Sequence, residues 1–395
     1  MGSHDFIKFP PVLDRLSPAT WMLLGNVEGI VNSMHGTPML PFDSADLQRM
    51  YLAKGIHGTT AIEGNRLTES EVDRFVRGDD SLGPKDPEQV RQLISALAAY
   101  SAVTLDSATA ARPSFSIDLL HKYHALLLDG LEHEGARAGQ FRFHNVTVGR
   151  YLAPPPDDLE FLVERFCEWL NTGEIVPESF EGGDIAWHFL RAIVAQVYFA
   201  WIHPYGDGNG RLARLIEYAL LLRAGVPASV AHIPSYCYSR TREQYYRELQ
   251  QSHGDFIDGR YQRAEFGDFI AYALEEIEDE LYNHLLEIQS GQVQVIWRDC
   301  IRVCFPDNLT TAQQRRLRLA IDLTDRCADM SLHLAEIWDF LDFVPAGNFE
   351  YSDIMLERDL SALTEMGLLT QDDYGFRPNV EIMRSLFSLT GFDTD

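Results

Sequence analysis

The stretch "AWHFLRAIVAQVYFAWI", residues 186–202, is apolar on almost every side of a helix and runs straight into "HPYGDGNGRLAR", residues 203–214. A helix that is hydrophobic all round must be surrounded by other structure. The chain therefore sets a histidine, an acid, three glycines and two arginines at the end of a buried helix. With 395 residues and 46% hydrophobic side chains it is long enough for two or three domains with substantial cores. His188, Arg191 and Gln196 interrupt the apolar run, so no stretch is expected to span a membrane. The opening "MGSH" is expected to be a cloning remnant, not a targeting signal.

Helical periodicity dominates the rest. "SADLQRMYLAKGIHGTTAIEGN" carries apolar residues at helical spacing and closes on Gly64-Asn65, a stop signal. Thr68 is a candidate N-cap for the next helix, with Glu71 three places on. Helices are also expected over "PEQVRQLISALAAYSAV", from Ser116 to Leu131, and over "DLEFLVERFCEWLNTG". Others follow over "NGRLARLIEYALLLRAG", "SRTREQYYRELQQ" and "EFGDFIAYALEEIEDELYNHLLEIQ". Phe141, Phe143, Asn145 and Thr147 alternate with Arg142, His144, Val146 and Val148 ahead of Gly149 and three prolines. That alternation predicts a β-hairpin, almost the only β structure before the C-terminal part. The last hundred residues read as three helices followed by a hairpin at "TQDDYGFRPN", the order of a winged helix.

The polar stretch carries chemistry. Gly206, Gly208 and Gly210 allow sharp turns and close approach of backbone N–H groups to a ligand. A helix starting near Asn209 presents its positive end there, a place for phosphate. Arg211 and Arg214 share one helical face and suit a polyphosphate. Asp207 suits a Mg²⁺ ion bridging phosphates, and His203 suits a base that takes a proton from an attacking hydroxyl. Each part alone has a plainer reading as a turn, a cap or a surface ion pair. Their coincidence within twelve residues points to transfer of a phosphorus-containing group. No βαβ pattern surrounds the glycines and no Lys-Ser/Thr follows them, so neither a dinucleotide fold nor a P-loop fits.

The stretch resembles the HxFx(D/E)GNGRxxR signature of Fic-family proteins, which mostly transfer AMP from ATP to protein hydroxyls. His203, Asp207, Gly208, Asn209, Gly210, Arg211 and Arg214 match, while Tyr205 stands where the family usually has Phe and its hydroxyl needs a partner. The resemblance implies His203 as the base and Asp207 as the Mg²⁺ ligand. It implies Asn209 and the Gly208 and Gly210 amides on the α- and β-phosphates, Arg211 on the phosphates and Arg214 on the γ-phosphate. "TTAIEGN", residues 59–65, resembles the family's inhibitory helix, with Thr59 and Glu63 at the key positions before Gly64 and Asn65. In the family this Glu pairs with the second arginine and displaces the γ-phosphate. The hairpin at Val146, Thr147, Val148 and Gly149 resembles the flap that holds a target segment by strand addition, and "GQFR" before it matches the usual lead-in. "SYCYSRTREQYYREL" resembles the segment around the nucleotide base, with Tyr245 or Tyr246 as contacts.

The expected fold is thus mainly α: a Fic-type helical bundle with a short β-hairpin flap, plus a C-terminal winged-helix-like domain. The expected regions are 1–110, helical with the inhibitory motif 59–65; 111–285, the catalytic core with flap 141–153 and motif 203–214; and 286–395, the winged-helix-like part. The resemblance implies an autoinhibited protein adenylyltransferase using ATP and Mg²⁺ on a Ser, Thr or Tyr hydroxyl of a target protein bound along the flap, or of itself. It leaves open removal of AMP, transfer of another phosphate-containing group, and a homodimer. A regulator that senses nucleotide and acts through the winged helix is the alternative of a different class.

Charge narrows the partners. With 33 basic against 59 acidic residues the chain carries −26, a field that repels nucleic acid and anionic membrane. From residue 300 onward 8 Arg and no Lys face 17 acids. The expected recognition helix carries Asp353, Glu357, Asp359 and Glu365 against Arg358 alone, which argues against DNA and for protein contact. "QRRLR", residues 314–318, reads as a solvated helix face. Five scattered cysteines read as buried free thiols in a reducing cytoplasm.

Overall fold

The computed structural model describes residues 4–9, 11, 16–35, 41–79, 86–109, 112–131, 136–172, 184–254, 256–257, 260–261, 266–327, 330–343 and 352–382. It divides into two compact units, Met1–Leu285 and Leu286–Asp395. Residues 1–110, expected as a region of their own, lie in the first unit with the core. Residues 110 and 111, where that region was expected to end, lie outside the described residues.

The first unit contains α1 (Pro18–His35), α2 (Pro41–Ile62), α3 (Glu69–Val76), α4 (Pro87–Ala108) and α5 (Ile117–Leu127). A hairpin of β1 (Thr147–Val148) and β2 (Tyr151–Leu152) precedes α6 (Leu159–Thr172), α7 (Asp184–Ile202) and α8 (Asn209–Arg223). Then come α9 (Ala228–Ala231), α10 (Ile233–Arg240), α11 (Arg242–Gln251), a hairpin of β3 (Phe256–Ile257) and β4 (Arg260–Tyr261), and the start of α12 (Gly267–Val303). The sequence cap acts as expected, Thr68 and Glu71 forming a capping box on α3, and Ser116, where the next expected helix begins, caps α5.

Helix α7 is buried along nearly its whole length, with α1, α6 and α8 packed on it. Contrary to the sequence expectation, it is long and apolar enough to cross a membrane. Its three polar interruptions leave the mean hydropathy at 1.3, but 72% of the segment is buried within the fold. Helix α2 lies against α3, α4, α8, α9 and α10. Gly58 sets its distance from α10, because a Cβ there would sit 2.4 Å from the Ser235 carbonyl oxygen. That close approach fixes where the next turns of α2 end.

Three expectations change. The strands of the first hairpin cover only Thr147–Val148 and Tyr151–Leu152, because Arg142 binds three backbone carbonyls and holds residues 141–146 in an irregular course. The β3–β4 hairpin was not foreseen, its strands being only two residues each. The helix expected over residues 239–251 breaks at Thr241, whose hydroxyl lies 2.6 Å from that of Tyr272. The His4 ring nitrogen lies 2.8 Å from the Leu152 carbonyl oxygen, while residues 1–3 of the MGSH stretch are outside the described residues.

In the second unit α13 (Thr311–Cys327), α14 (Leu334–Phe343) and α15 (Asp353–Glu365) precede a hairpin of β5 (Leu369–Asp372) and β6 (Gly375–Pro378), with a bridge from Leu332 to Phe376. Trp297, Ile301, Leu319, Leu323, Ile337 and Leu360 build its core. Two sequence expectations fail here. Asp359 is buried, not part of an acidic face, and the QRRLR segment is not simply solvated. Arg315 Nε and Arg316 Nε reach the Asp359 carboxylate at 2.5 and 2.7 Å. Cys167 and Cys237 are buried thiols as expected, but Cys304 is exposed on the last turn after α12.

Candidate active site

Helix α7 ends in a strained residue. His203 has φ 48°, uncommon for a side chain with a Cβ, while its N–H still bonds Phe199 O at 2.9 Å. Arg142 holds that conformation. Its Nε donates to His203 O at 2.8 Å, Nη1 to His144 O at 2.8 Å and Nη2 to Pro154 O at 2.5 Å. Its backbone N–H donates to Pro204 O at 3.0 Å. One buried guanidinium thus ties the loop after α7 to the hairpin. In the sequence Arg142 stands out only as part of a lead-in, because its partners are far apart in the chain.

The His203 ring is half-buried, with Nδ1 3.3 Å from Ala200 O. A proton on Nδ1 serves that carbonyl and leaves the Nε2 lone pair available. Burial pushes the ring pKa down to about 4, aided by Arg142 and opposed by the Ala200 bond, Glu63 and Asp207. The imidazole is therefore neutral at pH 7 and able to accept a proton.

The loop rests on a second neutral histidine. His124 donates from Nε2 to Asp207 O at 2.9 Å and accepts the Gly139 N–H on Nδ1 at 2.9 Å. That pattern requires one protonated nitrogen, and burial lowers its pKa to about 4. Tyr205 stacks on it with centroids 3.7 Å apart, and its hydroxyl finds its partner in His121 Nδ1 at 2.9 Å. Gly208, φ 77°, approaches the same ring so closely that a Cβ would lie 3.2 Å from Nε2. Tyr205→Phe removes one buried hydrogen bond and keeps the ring. It is expected to cost about 0.5–1.5 kcal/mol in urea denaturation, and an unchanged midpoint would show that the His121 bond contributes nothing.

Asn209 departs from its expected role. Its Oδ1 accepts the Tyr205 N–H at 2.9 Å and its Nδ2 donates to Tyr205 O at 2.8 Å, so the side chain shapes the loop and is not turned toward a phosphate. Gly208 opens the first turn of α8, which carries the partial positive charge of a helix N-terminus. Asp207 flanks it, with Oδ1 taking the Gly208 N–H at 2.5 Å and Oδ2 3.5 Å from Arg211 Nη2. Arg211 is buried, and its Nε finds no partner among the described residues. A partly exposed carboxylate beside a buried unpaired donor fits an anion with Mg²⁺, which takes one or two carboxylates and completes its shell with phosphates and water.

Arg214 is fully buried and faces the end of α2. Its Nε donates to Thr59 Oγ1 at 3.1 Å and its Nη2 to Thr59 O at 3.1 Å and Glu63 Oε1 at 2.7 Å. A carboxylate at the C-terminal end of a helix meets an unfavourable dipole. Glu63 escapes that penalty because it lies over the positive end of α8: a Cβ on Gly210 would fall 2.6 Å from its Oε1. Gly64 and Asn65 end α2. Asn65 donates to Gln89 O and Gln92 Oε1 and accepts the Leu67 N–H, each at 3.0 Å, anchoring that end to α4.

Of the two expected base contacts, Tyr245 is corrected. It is buried, its hydroxyl 2.7 Å from Gln196 Nε2 and 3.5 Å from Arg214 Nη1, so it backs Arg214 and offers no open face to a base. Tyr246 is exposed and donates to Ile62 O at 3.2 Å, gripping the last turn of α2. On the hairpin, Thr147, Val148 and Gly149 are exposed and Val146 half-buried, with Val146 O accepting the Ala153 N–H. Tyr261 and His4 bond Leu152 on the other strand.

A helical bundle that gathers a neutral imidazole, a carboxylate and two buried arginines around one helix N-terminus defines an anion-handling site suited to phosphate-group chemistry. The comparisons agree: residues 114–221 match the Fic/DOC family, and the chain carries a Fic domain. It is 30% identical over 204 residues to protein adenylyltransferase Fic of Nematostella vectensis, covering 51% of this chain and 43% of that one. It is 30% identical over 198 residues to the protein of that name from Culex quinquefasciatus, covering 49% and 36%. The chain thus spans less than half the length of these relatives. Among solved structures, a Fic family protein from Desulfovibrio desulfuricans G20 matches with TM-score 0.52 and 20% identity, over 90% of this chain and 91% of that one. Fic-1 from C. elegans matches with TM-score 0.54 and 20% identity, over 69% and 73%. Both show the fold.

Proposed function

We propose that this chain is an autoinhibited protein adenylyltransferase, moving AMP from ATP to a hydroxyl of a target protein or of itself and releasing pyrophosphate. The observation that carries the reading is the Glu63–Arg214 pair at 2.7 Å, closed over the first turn of α8 beside a neutral His203. The relatives' name, protein adenylyltransferase Fic, supports the reaction class. In this reading the α8 amides and Arg211 hold the α- and β-phosphates, and Arg214 receives the γ-phosphate once Glu63 withdraws. Mg²⁺ at Asp207 would neutralise phosphate charge. His203 Nε2 takes the proton of the attacking hydroxyl as its oxygen bonds the α-phosphorus and the bond to pyrophosphate breaks. The exposed Thr147–Val148 strand receives an extended target segment. The second unit is read as a winged-helix-like module for protein contact, since α15 still exposes Asp353, Glu357 and Glu365 after Asp359 is neutralised.

Mass spectrometry of a lysate treated with Glu63→Gly protein and ATP tests this in one measurement. AMP on Ser, Thr or Tyr side chains is expected. No modification from ATP or any other nucleotide would sink the reading, and wild-type protein that strips AMP from the modified target where Glu63→Gly does not would reverse its direction.

A further inference from the structure

Behind Arg214, one turn further along α8, lies a carboxyl group that the reaction leaves unused. Glu217 is 1% exposed. Its Oε1 accepts the Tyr238 hydroxyl at 3.0 Å, and its Oε2 has no partner among the described residues. Tyr238 stacks on Tyr245 at 5.0 Å, and the Tyr245 hydroxyl lies against Arg214 Nη1, so the carboxyl belongs to the wall that supports the arginine. An ionised glutamate with one neutral donor is costly in such a place. Burial pushes its pKa up to about 8, while Tyr238 and Arg214 pull it back. The groups whose fields couple to it are Arg214 on its own helix, Tyr100 on α4, and Cys237 and Tyr238 on α10. Of these only Arg214 is charged at neutral pH.

The Arg214 guanidinium presents a matching problem. It bonds Thr59, Tyr245 and Glu63, and Glu63 alone among these carries charge. When Glu63 withdraws, a buried cation is left with neutral partners, a state that proteins avoid. We propose that Glu217 is a positioning residue that serves as the alternate counter-ion of Arg214, giving its proton to solvent when Glu63 leaves and regaining one when a carboxylate or phosphate returns. Arg214 is then held in place through the exchange, without both carboxylates being charged at once.

The nucleotide half of this inference rests on the adenylyltransferase reading; the Glu63 half does not. Difference infrared spectroscopy of the full chain reads the protonated carboxyl directly. In wild-type protein a buried carboxyl band absent from Glu217→Gln is expected to titrate near pH 8, and in Glu63→Gln its midpoint falls by about one pH unit or more. The wild-type and Glu63→Gln titrations are sufficient even where Glu217→Gln does not fold. An identical midpoint in the two, or no such band, overturns the proposal. Calorimetry of a non-hydrolysable ATP analogue at about pH 8, in buffers of different ionisation heat, supplies the second arm. Glu63→Gly protein is expected to take up roughly half a proton per nucleotide, the difference between a midpoint near 8 and one about a unit lower, and the further change Glu217→Gln abolishes the uptake. Undiminished uptake in that double variant overturns the proposal. A nucleotide that does not bind counts against the adenylyltransferase reading, and the infrared midpoints still decide for Glu217.

Discussion

In a Glu63→Gly background, His203→Ala is expected to lower AMP transfer from α-labelled ATP by about 10²–10⁴-fold, the usual contribution of a positioned base. The argument is geometric before it is electrostatic. Arg142 holds residue 203 at positive φ, and the Ala200 carbonyl takes the Nδ1 proton. Those constraints aim Nε2, not Nδ1, at the hydroxyl. The pKa near 4 then fixes the pH dependence. The base form is the unprotonated one, so transfer is present above the folded pKa and lost as pH falls through it. Between about pH 6 and 8 the rate should be flat with respect to His203. A rate that instead rose tenfold per unit across that window would mean that the ring is protonated near neutrality and that burial does not set its state. Nucleotide affinity should be unchanged by His203→Ala, since no phosphate contact is assigned to the ring. A loss of binding that matched the loss of rate would remove His203 from the role of base.

Much of this site was legible in twelve residues because its parts are local. A histidine, an acid, three glycines and two arginines lie in chain order around one helix start, and helix N-terminal electrostatics do the rest. What stayed hidden was non-local. Asn209 matched a signature that gives it to phosphate, but its side chain is held by the backbone of Tyr205, four residues earlier. Arg142 reaches His203, His144 and Pro154, partners that no spacing rule connects. Tyr245 and Tyr246 are adjacent in sequence and differ in fate, because α11 turns one ring into the core and the other out. The same holds for the fold. Long helices announced themselves through periodicity and the first hairpin through alternation, whereas the two-residue strands β3 and β4 carry no such run. Asp359 looked like one more acid on an acidic helix until its position opposite Arg315 and Arg316 made it a buried partner.

Glu63→Gly is expected to raise transfer by roughly 10–100-fold. The magnitude follows from the bond it removes: a charge-assisted hydrogen bond of about 1.5–3 kcal/mol competes directly with the γ-phosphate for one guanidinium. Glu63 is partly open to water, its side chain 29% exposed, which places the gain toward the lower end. Arg214 should stay in place after the change, because Thr59 holds its Nε and Nη2 independently of Glu63. This separates two ways in which the carboxylate could inhibit. If it acts by occupying Arg214, Glu63→Gln, which keeps the shape and loses the charge, should recover much of the Glu63→Gly activity. If it acts by bulk over Gly210, where its Oε1 sits 2.6 Å from a hypothetical Cβ, Glu63→Gln should remain inhibited and only Glu63→Gly should be active. Initial rates of labelling across the three proteins at subsaturating ATP distinguish these outcomes. Equal rates in all three would leave the Glu63–Arg214 pair with no part in control, and the site would then be open in its resting form.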